Sequence, residues 1–222
     1  MQETGRVFCG VLFMLLAIGV RHAEAQFGYF SRDRAGEFDY YVFSLSWSPE
    51  YCAGSPGGGG ASQCGGARQF GFVVHGLWPQ NERGYPQSCS SNSWVNKEMI
   101  QRLLLIMPSE QLIRHEWKKH GTCSGLPAGK YFEKIEDAYA LVTIPPPYKN
   151  PKDVVSVAPR QLKKDFVAAN RNFSEKNFAL VCKGRFLSEV RVCLDKDLNP
   201  RACGSDMRDA CRAEKVILRP VR

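Results

Sequence analysis

Cysteine constrains this chain more than any other residue type. Eight cysteines, Cys52, Cys64, Cys89, Cys123, Cys182, Cys193, Cys203 and Cys211, lie downstream of residue 25 in a chain of 222 residues. An even set of this kind implies a disulfide framework in an oxidising compartment, with the pairing left open by the sequence. The first 25 residues predict that compartment. Arg6 precedes an apolar stretch from Val7 to Val20, and Ala23-Glu24-Ala25 places small residues about a cleavage point. The stretch is too short to cross a hydrocarbon layer of about 30 Å as a helix, so a cleaved leader is expected and no membrane association after it. Cleavage would remove Cys9 and His22 and leave residues 26–222, a length that suits one domain with a sizeable core. No two of the eight cysteines are spaced as Cys-x-x-Cys, which argues against a zinc site.

The hydrophobic pattern predicts strands, then helices, then strands. From Phe38 to Trp47, Tyr41, Phe43, Leu45 and Trp47 alternate with Ser44 and Ser46, the pattern of a half-buried strand. Phe70 to His75 reads as a second strand, ended by Gly76 and Pro79. Helical spacing runs from Trp94 to Met107, stopped by Pro108. Ser109 is placed to cap a helix from Glu110 to His120, and further helices cover Tyr131 to Val142 and Gln161 to Asn170. Strands follow at Phe178 to Cys182, Arg185 to Leu194 and Lys215 to Leu218. Residues 26–36 read as a loose arm, and the Gly-rich Gly54 to Ser62 as a mobile loop between Cys52 and Cys64. The expected fold is α+β, a mostly antiparallel sheet flanked by helices in a single disulfide-stapled domain.

The net charge of +8 survives loss of the leader, because Arg6 and Arg21 there balance Glu3 and Glu24. A basic chain attracts polyanions, nucleic-acid backbones among them. The charges are dispersed, however. Lys163-Lys164, Arg185, Arg191, Arg208, Arg212, Arg219 and Arg222 form no dense run, and each reads as part of a solvated face.

The three histidines outside the leader all fall in two motifs, Phe72-Val73-Val74-His75-Gly76-Leu77-Trp78-Pro79 and His115-Glu116-Trp117-Lys118-Lys119-His120-Gly121-Thr122-Cys123. Histidine is the side chain best suited to move protons near neutral pH, so this concentration points to acid–base chemistry. On a helix, Glu116 and His120 share one face, and His115 and Lys119 an adjacent one. His115 and His120 are five apart, about 140° around the helix, which aims them poorly at one metal ion, and no metal or other cofactor is expected. A base and an acid without a metal suit cleavage of RNA, whose 2′-hydroxyl is a built-in nucleophile; DNA lacks it and should be left uncut.

These two motifs closely resemble the active-site segments of the ribonuclease T2 family, exported endoribonucleases of acid or neutral compartments. Phe43-Ser44-Leu45-Ser46-Trp47-Ser48-Pro49 with Tyr51-Cys52 is similar to that family's opening strand, and the four late cysteines fit its C-terminal set. The resemblance runs from about Phe38 to the end. It implies His75 as general acid and His120 as general base, Glu116 and Lys119 stabilising the transition state, and His115 holding the phosphate. It also implies 2′,3′-cyclic phosphate products opened later to 3′-phosphates, and the pairs Cys52–Cys64, Cys89–Cys123, Cys182–Cys211 and Cys193–Cys203. Where family members often carry an acidic residue two after the motif tryptophan this chain has Gln80, and where they often carry an aromatic three before His115 it has Leu112. Trp78 and Tyr85 remain to stack on a base, so weak base selectivity is expected. The expected protein is a monomer acting on RNA, secreted or periplasmic, or vacuolar or lysosomal in a eukaryote. The rival on the same scaffold is a catalytically idle secreted binding or signalling protein, which would have no need of His75, Glu116, Lys119 and His120 together.

Overall fold

Alternating apolar residues in Tyr40–Trp47 and Phe72–Gln80 form the first two strands, β1 and β2, of the sheet that carries the motifs. This computed structural model describes Met1 and residues 34–54, 61–65 and 68–221; the expected leader beyond Met1, most of the arm and residues 55–60 of the glycine loop lie outside the described residues. After β1 come the short helices α1 (Ser48–Ala53) and α2 (Ala61–Cys64). Following β2 are α3 (Lys97–Leu103), α4 (Glu110–Lys119), α5 (Ala128–Leu141) and α6 (Pro146–Lys149). The chain ends with β3 (Val155–Val157), α7 (Pro159–Ala169), β4 (Phe178–Lys183), β5 (Phe186–Leu194) and β6 (Val216–Leu218).

The strand order is β2-β1-β5-β6-β3, with β4 also paired to β5. Every pairing is antiparallel except the short β5–β6 contact at Phe186 and Ile217. The helices bury Ile100, Ile113, Trp117, Phe132 and Phe166 in one cluster with Tyr41, Phe43, Leu45 and Trp47 of β1, so the α+β arrangement read from the sequence is the one observed. Each fully buried side chain of this size is worth about 1.5–3 kcal/mol, which makes this cluster the main source of stability.

Several details differ from the sequence expectation. The first strand is not half-buried: Ser44, Tyr40 and Val42 are as inaccessible as the residues that alternate with them. The reason is the C-terminal segment, which covers the second face. Cys193–Cys203 ties it down, Tyr40, Val42 and Trp78 pack with Cys203 and Met207, and Gly204 N–H donates to the Tyr40 hydroxyl. The second strand does not end at Gly76 but continues through Pro79 to Gln80. Proline is tolerated there because β2 is an edge strand. The helix expected over Trp94 to Met107 shrinks to α3, since the Asn96 side chain caps Met99 N–H and turns follow Leu103, while Trp94 is 70% exposed. Residues 34–36 are not a loose arm: Gly36 N–H donates to the Cys123 carbonyl.

The disulfides are Cys52–Cys64, Cys89–Cys123, Cys182–Cys211 and Cys193–Cys203. The second joins the segment beyond β2 to the turn that ends α4. Three of the cations expected on a solvated face are paired instead. Lys163 meets Asp209 at 3.1 Å, Arg219 meets Glu50 at 2.6 Å and Arg191 meets Glu189 at 2.8 Å.

Candidate active site

His75 owes its direction to a break in the ladder between β1 and β2. Ser44 pairs with Gly76 and Leu45 with Val74, so His75 is the extra residue of a β-bulge. A bulge bends the strand and re-aims the extra side chain, and here it leaves the imidazole about one-third exposed. The second motif enters on α4. Ser109 caps its start by accepting from Leu112 N–H, and its apolar stripe of Ile113 and Trp117 goes into the core. With that stripe fixed, Glu116 points inward from the same turn as Trp117, and His120 falls at the end of the helix.

The two motifs meet through Glu116. Its carboxylate is buried, with 1% of the side chain accessible; Oε2 accepts from Trp78 Nε1 at 2.7 Å, and Oε1 lies 3.7 Å from His75 Nε2. Gly76 makes this possible. A Cβ on Gly76 would lie 2.5 Å from Trp78 Nε1 and closer still to Glu116 Oε2, so the carboxylate occupies space that any other residue would fill. The Trp78 ring contacts both histidines, with centroids 5.1 Å from His75 and 5.4 Å from His120. Tyr85, nearly half exposed, lies 6.0 Å from the His120 ring, and Lys119 Nζ is 6.0 Å from the Tyr85 ring. Lys119 is half-buried, whereas His115 stands exposed on α4. The sequence-predicted set thus divides: His75, Trp78, Glu116 and His120 form one cluster, Lys119 and Tyr85 its rim, and His115 remains on the outside. Of the two departures from the family pattern, Gln80 is buried at the end of β2 and Leu112 packs against the core.

Two residues of the cluster were not legible as site residues. Glu189 Oε1 lies 2.7 Å from His75 Nδ1, and Arg191 Nε donates to Glu189 Oε2 at 2.8 Å. The Arg191 guanidinium is in turn 5.1 Å from the centre of the Trp78 ring. The available signal was two opposite charges at alternate positions of a strand, between Leu187 and Cys193, where a buried strand has no ordinary use for them.

The surroundings push the pKa values of the two histidines in opposite directions. Burial disfavours charge on His75, but the hydrogen bond with Glu189 and the fields of Glu116 and Glu189 outweigh it, and its pKa is raised. For His120, burial and then the nearby charges of Lys119, His115 and His75 push the pKa down to about 3. Among the described residues nothing hydrogen-bonds the buried His120 Nδ1, so no group rewards a proton there. Burial raises Glu116 to about 7, against the pull of His75, the Trp78 hydrogen bond and Lys119.

Glu116 therefore costs stability when it ionises. Its folded pKa is above the unfolded one, so the penalty grows as pH rises from about 4.5 and is complete above about 7. Glu116→Gln is expected to raise the melting midpoint at pH 8, by roughly 2–4 °C for each kcal/mol recovered, and to raise it much less at pH 5. Melting curves at the two pH values check this; a gain no larger at pH 8 than at pH 5 would rule out the buried charge as its cause.

Comparison with known proteins places the chain in a family. Residues 38–203 match the model of the Ribonuclease T2 family. A ribonuclease of Aeromonas hydrophila is 36% identical over 86% of this chain and 90% of its own length. Ribonuclease DdI of Dictyostelium discoideum is 28% identical over 86% and 88%. Among solved structures, a ribonuclease-related protein from Calystegia sepium superposes with a TM-score of 0.67 at 24% identity, over 83% of this chain and 98% of the other, and shares the fold. A family match that spans both motifs, together with a relative similar over nearly its whole length, carries the assignment: the chain belongs to the ribonuclease T2 family and is a T2-type endoribonuclease.

Proposed function

We propose that this protein cleaves single-stranded RNA by transesterification, with His120 as general base and His75 as general acid. The observation that carries this reading is the pair of imidazoles that both contact the Trp78 ring, one with its pKa pushed down and the other with its pKa raised. Neutral His120 takes the proton of the ribose 2′-hydroxyl, the 2′-oxygen bonds to phosphorus, the bond to the 5′-oxygen breaks, and His75 delivers a proton to that oxygen. The product is a 2′,3′-cyclic phosphate, which water then opens to a 3′-phosphate with the two histidines exchanging roles. The nucleophile belongs to the substrate, so this step requires neither an external water nor a metal ion. Lys119 stabilises the phosphorane as its charge grows, Glu116 does so in its neutral, protonated form by donating a hydrogen bond, and His115 attracts the phosphate at the rim. Trp78 and Tyr85 offer aromatic faces to a base. Because Gln80 and Leu112 supply neither a carboxylate nor a ring, selectivity among bases is weak. The protein is exported after loss of residues 1–25, acts through residues 26–222 as a monomer, and leaves DNA intact.

The test is cleavage of matched RNA and DNA oligonucleotides in excess EDTA across pH, including homopolymers of each base. RNA alone should be cut, to cyclic-phosphate ends, with all four bases accepted. The pH dependence of kcat/KM should be bell-shaped. Activity is lost on the acid side as His120 gains a proton below its depressed pKa, and on the alkaline side as His75 loses its proton above its raised pKa. A rate still climbing at pH 9, or activity abolished by EDTA, would overturn the mechanism. A well-folded protein that binds RNA without cutting it would favour the idle-relative alternative.

A further inference from the structure

Glu189 has no part in the scheme above, yet it touches His75 more closely than any other residue of the cluster. The two oxygens of this buried carboxylate have different partners: Oε1 faces His75 Nδ1 at 2.7 Å, and Oε2 accepts from Arg191 Nε at 2.8 Å. Arg191 is itself fixed, lying against the Trp78 ring at 5.1 Å with a nitrogen 3.7 Å from Met207 Sδ. Trp78 donates to Glu116, and Glu116 faces the other nitrogen of His75. The contacts close a ring of five side chains, His75, Glu189, Arg191, Trp78 and Glu116, drawn from β2, β5 and α4.

We propose that Glu189 is the positioning residue for His75: its carboxylate accepts the Nδ1 proton, which leaves Nε2 as the nitrogen that exchanges protons with RNA, and Arg191 holds that carboxylate in place. An ionised carboxylate accepts but cannot donate, so a hydrogen bond of this length requires the proton to reside on His75 Nδ1. Glu189 stays ionised: burial alone would favour its protonated form, but the hydrogen bond to His75 and the charge of Arg191 hold its pKa down at about 2. The consequence is twofold. The imidazole is locked in one ring orientation and one tautomer, and its charged form is favoured, which suits a group that must arrive protonated. Among the described residues, the titratable and charged groups whose fields couple to His75 are Glu116, His115 and His120 of the α4 region and Glu189 and Arg191 of β5; Glu50 and Lys183 line the same cleft. Only Glu189 among them is hydrogen-bonded to the ring.

This inference rests on His75 as the acid, and the test separates the two. Nitrogen-15 NMR of the unsubstituted protein, at a pH above the His75 titration, should show the Nδ1–H tautomer; the Nε2–H tautomer would overturn the proposal without any variant. In Glu189→Gln, which keeps the shape and an acceptor oxygen but removes the charge, the His75 titration should move down by about one unit or more. The alkaline limb of the pH profile should move with it. kcat should fall about 10–100-fold with KM changed less than about twofold, by analogy with the loss seen when a metal-bound histidine loses its outer hydrogen-bond partner. Glu189→Asp, with the charge restored on a shorter arm, should regain part of the rate and of the titration shift. An unchanged His75 titration, or a loss uniform at every pH, would reduce Glu189 to a structural partner of Arg191. If His75→Ala still cleaves RNA at the normal rate, the acid assignment fails while the tautomer and titration results stand unaffected.

Discussion

His120→Ala is expected to lower kcat on an RNA oligonucleotide by about 10²–10⁴-fold, the range that loss of a positioned general base or acid produces. KM should change little. His120 is only 6% exposed and offers little surface to bind substrate, so the base supplies proton transfer more than binding. The same loss is expected for His75→Ala. The two imidazoles act on the two ends of one displacement, so the double variant should be little worse than either single one. The mutual charge effect points the same way: positive charge on His75 helps to hold His120 neutral. Removing His75 should therefore raise the His120 titration, visible by NMR as a shift towards the ordinary value of about 6.5. The decisive comparison is the kcat of the two single variants and the double variant, with circular dichroism to establish that each is folded. Activity within about fivefold of the original in either folded single variant would remove that histidine from the mechanism.

Gly76→Ala should be nearly as damaging to activity, and it adds a cost in stability that the histidine changes do not. The new methyl group would collide with the Glu116 carboxylate and the Trp78 indole, neither of which has room to retreat. Glu116 is 1% exposed, and Trp78 is packed with Tyr40, Val42 and Cys193. Forcing an extra carbon into packed surroundings costs about 1–3 kcal/mol, which lowers the melting midpoint by several degrees in a chain of this size. Displacing Glu116 or tilting His75 by about 1 Å is enough for a loss on the order of 10² in kcat. Because the clash is with one named carboxylate, Glu116→Asp in the Gly76→Ala background should recover part of the stability and none of the activity. A double-mutant cycle on melting midpoint and kcat measures this coupling. A Gly76→Ala protein as stable and as active as the original would show that the space beside Glu116 is not needed.

The parts of this site that were legible in the sequence are those carried by short segments. His75, Glu116 and His120 stood out because scarce proton-moving side chains were gathered in two motifs, and the 3.6-residue period placed Glu116 and His120 on one face of a helix that Ser109 caps. Glu189 and Arg191 were not legible. They lie far along the chain from His75, on a strand whose register with β1, Ser46 against Glu189 and Ser44 against Arg191, decides what they face. A one-residue slip would send both to the other side of the sheet, and nothing local in their sequence sets that register. Gly76 was misread for a related reason. Seen alone, glycine and proline end a strand. In the edge position of β2 they serve instead to admit a carboxylate and to leave one backbone hydrogen bond unused.

The sequence by itself determined the class of fold, an antiparallel sheet with helices, because alternation and helical spacing act within a few residues of one another. It also determined which chemistry is available, because the histidines, the glutamate and the lysine are covalently where they are. Only the tertiary structure decided how that chemistry is poised. The His75 bulge, the burial that keeps a proton off His120, the space at Gly76 and the Glu189–Arg191 pair behind His75 all depend on strands and a helix distant in the chain coming within hydrogen-bond range. The physical reason is that a pKa and a ring orientation are properties of surroundings. Burial and charge at 3–4 Å shift the balance between protonation states by more than any difference in local sequence, and those distances exist only once the core has packed.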